Sequence, residues 1–191
     1  LRTATVKRHT DTVTDLSYHG SQVLSSSLDG SIFYQRKMRI ADCGVLDAKF
    51  VDEKQFICSC TDNNIVVYEN GNLRSYVGHR AAIRSLTYGK ICISSSIDGY
   101  FGLLFNERAG GESTQYAFEM RDVGCSMHRQ LENDRAIGYG LDEIAMFDLN
   151  TMEKTAVYDE PTFSLDTSTN IFAYSTKSKL NLRDLGSPDR V

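Results

Sequence analysis

His79-Arg-Ala-Ala-Ile-Arg-Ser-Leu-Thr-Tyr88, leading to Ile91-Cys-Ile-Ser-Ser-Ser-Ile-Asp98-Gly-Tyr-Phe101, repeats a pattern met earlier in the chain. The earlier copy is His9-Thr-Asp-Thr-Val-Thr-Asp-Leu-Ser-Tyr18, leading to Val23-Leu-Ser-Ser-Ser-Leu-Asp29-Gly-Ser-Ile32. From His to Asp the interval is 20 residues in the first copy and 19 in the second. Residue type, order and spacing all agree, so the chain is built from a repeated unit.

Working outward, three looser copies complete the series. Cys60-Thr-Asp-Asn-Asn-Ile65, Leu141-Asp-Glu-Ile144 and Lys177-Ser-Lys-Leu180 each carry the end of the pattern. The apolar residues after the turns are Ile32, Ile65, Phe101, Ile144 and Leu180, spaced 33, 36, 43 and 36 apart. A period of that length, with several short strands in each unit, describes a β-propeller or a related array. Apolar and polar residues alternate over Val13–Tyr18 and Ile83–Tyr88, the period-two signature of strands. Turn residues punctuate at Asp29-Gly30, Asp62-Asn63, Asn70-Gly71 and Asp98-Gly99. The expected fold is all-β, with repeats at about 9–37, 42–70, 79–106, 120–149 and 158–184 inside one domain spanning 1–191. Residues Met127 to Arg135 admit either a helical turn or a polar connection.

Composition narrows the function. The chain has 191 residues, 41% of them hydrophobic, enough apolar material to form a core. A formal net charge of −4 gives no global attraction to nucleic acid or anionic lipid. Apolar runs fall short of the roughly 18–20 residues of a membrane helix. Five cysteines without a C-x-x-C motif read as reduced thiols in an intracellular protein, cytoplasmic or nuclear. Neither they nor His9, His19, His79 and His128 show metal-ligand spacing, so no metal is expected.

These residues resemble the WD-repeat family. Gly78-His79 matches its opening pair, Arg8-His9 half of it, and Ser27-Leu28-Asp29-Gly30 and Ser96-Ile97-Asp98-Gly99 match its turn. The Trp-Asp endings are degenerate: Gln35-Arg36, Tyr68-Glu69, Leu104-Phe105, Phe147-Asp148 and Arg183-Asp184 stand in those places. The resemblance implies a propeller of about five visible blades. It also implies structural networks of His9 with Asp29 and Ser25 or Ser27, and of His79 with Asp98 and Ser94 or Ser96. With no Trp in the chain, Tyr and Phe packing between blades has to carry more of the stability. Seven-bladed relatives would be larger, so the resemblance further implies an incomplete propeller, or an open one completed by a partner. On that reading Leu1–Lys7 is the outermost strand of a preceding blade.

A Ser–His–Asp set invites comparison with a hydrolase, yet recurrence at matching repeat positions is what a structural device shows. Gly110-Gly111 and Gly138-Tyr-Gly140 lack the context of a phosphate loop. The expected function is a non-catalytic protein-interaction scaffold without cofactor, a subunit or module of a larger eukaryotic complex. Arg80, Arg84, Tyr100, Arg121, Asp122 and Tyr139 are its candidate partner-binding residues. The alternative is an RNA- or ribosome-associated propeller touching phosphate through Arg2, Lys7, Arg8, Arg36, Lys37 and Arg39; a membrane partner is not expected.

Overall fold

The computed structural model describes residues 7–89, 91–107, 115–131, 134–168 and 170–185. Residues 1–6 of the expected leading strand lie outside that range, and with them Arg2 of the basic group.

Within it the chain is all β, with two compact units, Leu1–Gly78 and His79–Val191. The first unit holds β1 (Val13–His19), β2 (Gln22–Ser27), β3 (Ser31–Tyr34) and β4 (Arg36–Arg39) in one antiparallel sheet. Its second sheet is β5 (Val45–Phe50), β6 (Gln55–Cys60), β7 (Ile65–Glu69) and β8 (Asn72–Tyr76). The second unit begins with β9 (Ile83–Tyr88), β10 (Ile91–Ser96), β11 (Tyr100–Glu107) and β12 (Gln115–Asp122). Then come β13 (Met127–Leu131), β14 (Arg135–Tyr139), β15 (Ile144–Asp148) and β16 (Lys154–Tyr158). Last is a three-stranded sheet of β17 (Ser164–Thr167), β18 (Ile171–Ser175) and β19 (Leu180–Asp184). Strands follow one another in chain order in every sheet, the meander of a propeller blade.

The aligned residues Ile32, Ile65, Phe101, Ile144 and Leu180 all lie on the third strand of their sheets. In the first four sheets a further strand follows, each reaching past the end of the repeat read from the sequence. Where the sequence admitted a helical turn, Met127–Leu131 is strand β13, which presents the buried ring of His128 to one side. Among the described residues no helix is long and apolar enough to cross a membrane.

Alternation gives each sheet a packing face. In the first unit Leu24, Ile32 and Tyr34 of one sheet meet Ala48, Phe50, Phe56 and Cys58 of the other. In the second, Ile93, Phe101 and Leu103 pack on Ala136, Ala145 and Phe147, while Ile137, Tyr139 and Met146 pack on Leu165, Phe172 and Tyr174. Aromatic pairs join neighbouring sheets, Tyr34 with Phe50 at 5.6 Å and Phe101 with Phe147 at 5.4 Å between ring centroids.

Candidate functional site

The histidine networks differ between the two good repeats. His79 Nδ1 lies 3.2 Å from Asp98 Oδ2, and its Nε2 lies 2.8 Å from Ser94 Oγ. The carboxylate accepts from Nδ1–H, so Nε2 accepts the Ser94 hydroxyl proton. Burial pulls His79 below the ordinary imidazole range, against the attraction of Asp98. Around His9 a serine intervenes. Ser31 donates its hydroxyl proton to Asp29, its oxygen stands 3.1 Å from His9 Nδ1, and the carboxylate itself is 3.6 Å away. His9 Nε2 meets Ser25 Oγ at 2.7 Å.

Of the serine alternatives left open by the sequence, Ser25 and Ser94 touch the rings, joined at His9 by Ser31. Ser27 and Ser96 instead brace the Asp-Gly turns, accepting the backbone N–H of Asp29 at 3.1 Å and of Asp98 at 3.3 Å. Burial raises the Asp29 carboxyl, but bonds from Lys37, Ser31 and the Thr10 backbone outweigh it and hold Asp29 well below the carboxylate range. Asp98 is lowered too: burial opposes this, while the backbone N–H groups of Arg80 and Tyr100 and the His79 ring prevail.

The hydrolase arrangement fails on access. Ser94 is fully buried, so its oxygen is closed to a substrate carbonyl. The thiols of Cys60 and Cys125 fare no better. None of the five cysteines is in a disulfide, and burial, with neighbouring groups, pushes Cys60 and Cys125 up to about 12.

A third histidine network is absent from the sequence reading. His128 is fully buried, with Nδ1 2.9 Å from Ser95 Oγ on β10 and Nε2 2.7 Å from Thr87 Oγ1 on β9. Burial first, and then Arg129, lowers it to about 3, so the ring is neutral. In the first unit Lys49 occupies the seam between sheets, bridging Asp15 at 2.9 Å and Asp47 at 2.7 Å.

The surface candidates are scattered. Arg80 is exposed, and its backbone N–H caps Asp98 at 2.8 Å. Tyr100 is half-buried beside Asp122, its partner across β11 and β12, and exposed Arg121 pairs with Glu119 at 2.6 Å. Tyr139 is no surface anchor: alternation along β14 turns it inward, 1% exposed among Phe172 and Tyr174. Of the basic residues, Lys37 is tied to Asp29 at 2.7 Å, Arg39 to Asp42 at 3.3 Å, and Arg8 lies 5.1 Å over the Phe33 ring.

Arg84 lies on a cleft. It opens in the second unit to about 320 Å³, lined by Arg84, Ile97, Met127, Leu141, Thr162 and Phe163, among others. The lining comes from the starts of β9 and β13 and from the neighbouring loops of three sheets. The Thr162 N–H donates to Gly140 at 2.7 Å and the Phe163 N–H to Ser175 at 3.0 Å, which fixes the segment bearing Phe163. Ile97, Leu141 and Phe163 remain 58%, 68% and 55% exposed. In sequence they were single apolar residues at turns, and only the assembled sheets show that they converge.

Comparison with known proteins agrees with this architecture. The family described as WD domain, G-beta repeat matches residues 2–34. No curated protein matches the chain. Among solved structures the chain is similar to the C-terminal WD40 domain of Sif2, with a TM-score of 0.70 and 17% identity over 92% of this chain and 57% of that one. It is also similar to the WD40 β-propeller domain of Doa1, with a TM-score of 0.69 and 20% identity over 91% of this chain and 64% of that one. The chain thus carries a WD repeat and has the fold of WD40 β-propellers, spanning less than two thirds of these matched domains.

Proposed function

We propose that this protein is a non-catalytic interaction scaffold, a subunit or module of a larger eukaryotic complex, and that it docks a protein segment in the cleft around Arg84. WD40 propellers in general mediate protein–protein contacts. The observation that carries the reading is the convergence of three exposed apolar side chains, Ile97, Leu141 and Phe163, on one arginine. Uncovered apolar clusters mark contact surfaces, and arginine and aromatic residues dominate their energetics. Five cysteines outside any disulfide support an intracellular location, cytoplasmic or nuclear.

The test is co-purification with the tagged chain. Arg84→Glu and Phe163→Ser should each strip away the partners held by the wild type, while Arg121→Glu, outside the cleft, should retain them. Unchanged partners in both cleft variants would count against the docking site. Against the RNA reading, Lys37 is already held by the buried Asp29 carboxylate. A capture that fades steeply between low and moderate salt would revive it.

A further inference from the structure

Two thiols and a carboxylate meet in the first unit. Cys43 precedes β5, Cys60 ends β6, and Asp62 sits in the turn to β7. Their two Sγ atoms and a carboxylate oxygen all lie within 4.8 Å of one another. Cys43 and Cys60 are too far apart in sequence to display ligand spacing; strand pairing brings them together.

The backbone holds this cluster in place. Thr61 N–H donates to the Gly44 carbonyl at 2.8 Å, and Gly44 N–H donates to Thr61 Oγ1 at 3.0 Å. These two bonds clamp the residue after Cys43 to the residue after Cys60. A side chain at Gly44 would bring its Cβ to 3.0 Å from the Leu28 side chain and 3.2 Å from that of Thr61, so those neighbours would have to give by a few tenths of an ångström. In the turn, Asn63 at φ 68° donates its N–H to the Cys60 carbonyl at 3.0 Å. Asn64 donates its backbone and side-chain N–H to the two Asp62 oxygens, at 3.2 and 2.8 Å, which orients the carboxylate.

We propose that Cys43, Cys60 and Asp62 bind a zinc ion, with water as fourth ligand. Two thiolates and a carboxylate are ligand types that zinc accepts, and the thiolates select against magnesium and calcium. Ligand atoms around a tetrahedral zinc stand roughly 3.4–3.8 Å apart, so atoms within 4.8 Å need contract by at most about 1.0–1.4 Å. Access is graded: Cys60 is buried, Cys43 half-buried and Asp62 exposed, leaving one open side for the ion and its water. A Cys43–Cys60 disulfide would use the same sulfurs but gives Asp62 no part. Bound zinc would tie the entry of β5 to the hairpin of β6 and β7. The site is independent of the docking cleft, which lies in the other unit.

The experiment is titration of the reduced full chain with zinc chloride, and with cobalt chloride for its spectrum. Uptake of one ion per chain, with a thiolate-to-cobalt charge-transfer band and tetrahedral d–d absorption, is expected. Cys43→Ser should abolish the band. Asp62→Asn, which keeps an oxygen to accept the Asn64 backbone N–H, should weaken binding at least as much as the roughly 10–100-fold cost of losing a supporting group. No uptake by the wild type, or uptake that Cys43→Ser leaves unchanged, would overturn the site. So would a chain two hydrogens lighter, cross-linked between Cys43 and Cys60 under mild oxidation, that never takes up metal when reduced.

Discussion

At the scale of single residues, the two kinds of buried histidine make different demands. His79 and His9 are each held by a serine on one ring nitrogen and by a carboxylate, direct or relayed, on the other. Removing Asp98 strands His79 Nδ1–H in a buried place, so Asp98→Ala should cost roughly 1–3 kcal/mol in thermal or urea melts. A melt matching the wild type would rule out the structural role. His128 has only hydroxyl partners, and its value of about 3 lies below the ordinary 6.5. Between those values the unfolded chain takes up the proton that the folded chain refuses. Stability is therefore whole above pH 6.5 and drains as pH falls toward 3, by about 2 kcal/mol between pH 7 and 5. Urea melts at the two pH values should show that loss shrinking by about that amount in His128→Asn, and imidazole resonances of the wild type should keep His128 neutral at pH 5. A charged His128 at pH 5 would sink the argument. The His–Asp pairs were legible in the sequence because they recur at matching intervals. His128 was not, since it occurs once and its partners Ser95 and Thr87 lie 33 and 41 residues away.

Elements repeat the same division. The third strands of the first four sheets could be read directly, because each is an apolar run after a turn and is largely buried on both faces. The exposed β19 was readable only from its place in the repeat. The fourth strands escaped: β4 reads Arg-Lys-Met-Arg and β8 Asn-Leu-Arg-Ser-Tyr, polar because they form exposed outer edges. What fastens these outer strands is a device that only the structure displays. The carbonyl of Gly30 accepts N–H groups from Ile40 and Ala41, and that of Gly99 accepts from Val123 and Gly124, so each Asp-Gly turn grips the chain leaving its own outer strand. Both glycines have positive φ, 78° and 82°, but their surroundings differ. A Cβ on Gly30 would stand 2.6 Å from the Ala41 carbonyl oxygen, whereas one on Gly99 meets only Gly124 at 3.8 Å. Gly99→Ala should thus cost about 1–2 kcal/mol from backbone conformation alone. Gly30→Ala should cost clearly more, since backbone must move as well. Urea midpoints of the two variants decide it, and equal losses would mean that the Gly30 turn relaxes freely.

On the scale of the whole chain, the first and last sheets each have one packed face and one bare face. Leu24, Ile32 and Tyr34 cover the inner side of the first sheet, while Leu16, Tyr18 and Val23 on the opposite side are 53%, 68% and 41% exposed. In the last sheet Phe172 and Tyr174 are packed, and Ile171, Leu180 and Leu182 on the other face are 45%, 74% and 57% exposed. Sequence alternation alone could not separate these faces, because Leu16 and Leu24 are equally apolar and only a neighbouring sheet makes one of them core. Apolar strand faces of this kind recruit another surface. Residues 1–191 in isolation should therefore self-associate, and sedimentation velocity should show species heavier than 21.4 kDa. Making the bare faces polar, with Leu16→Ser and Tyr18→Ser or with Leu180→Ser and Leu182→Ser, should shift the distribution toward monomer without lowering the melting temperature much, since those side chains touch little in the folded chain. A wild-type chain that sediments as one sharp 21.4 kDa species and melts in a single cooperative step would show that these faces need no cover.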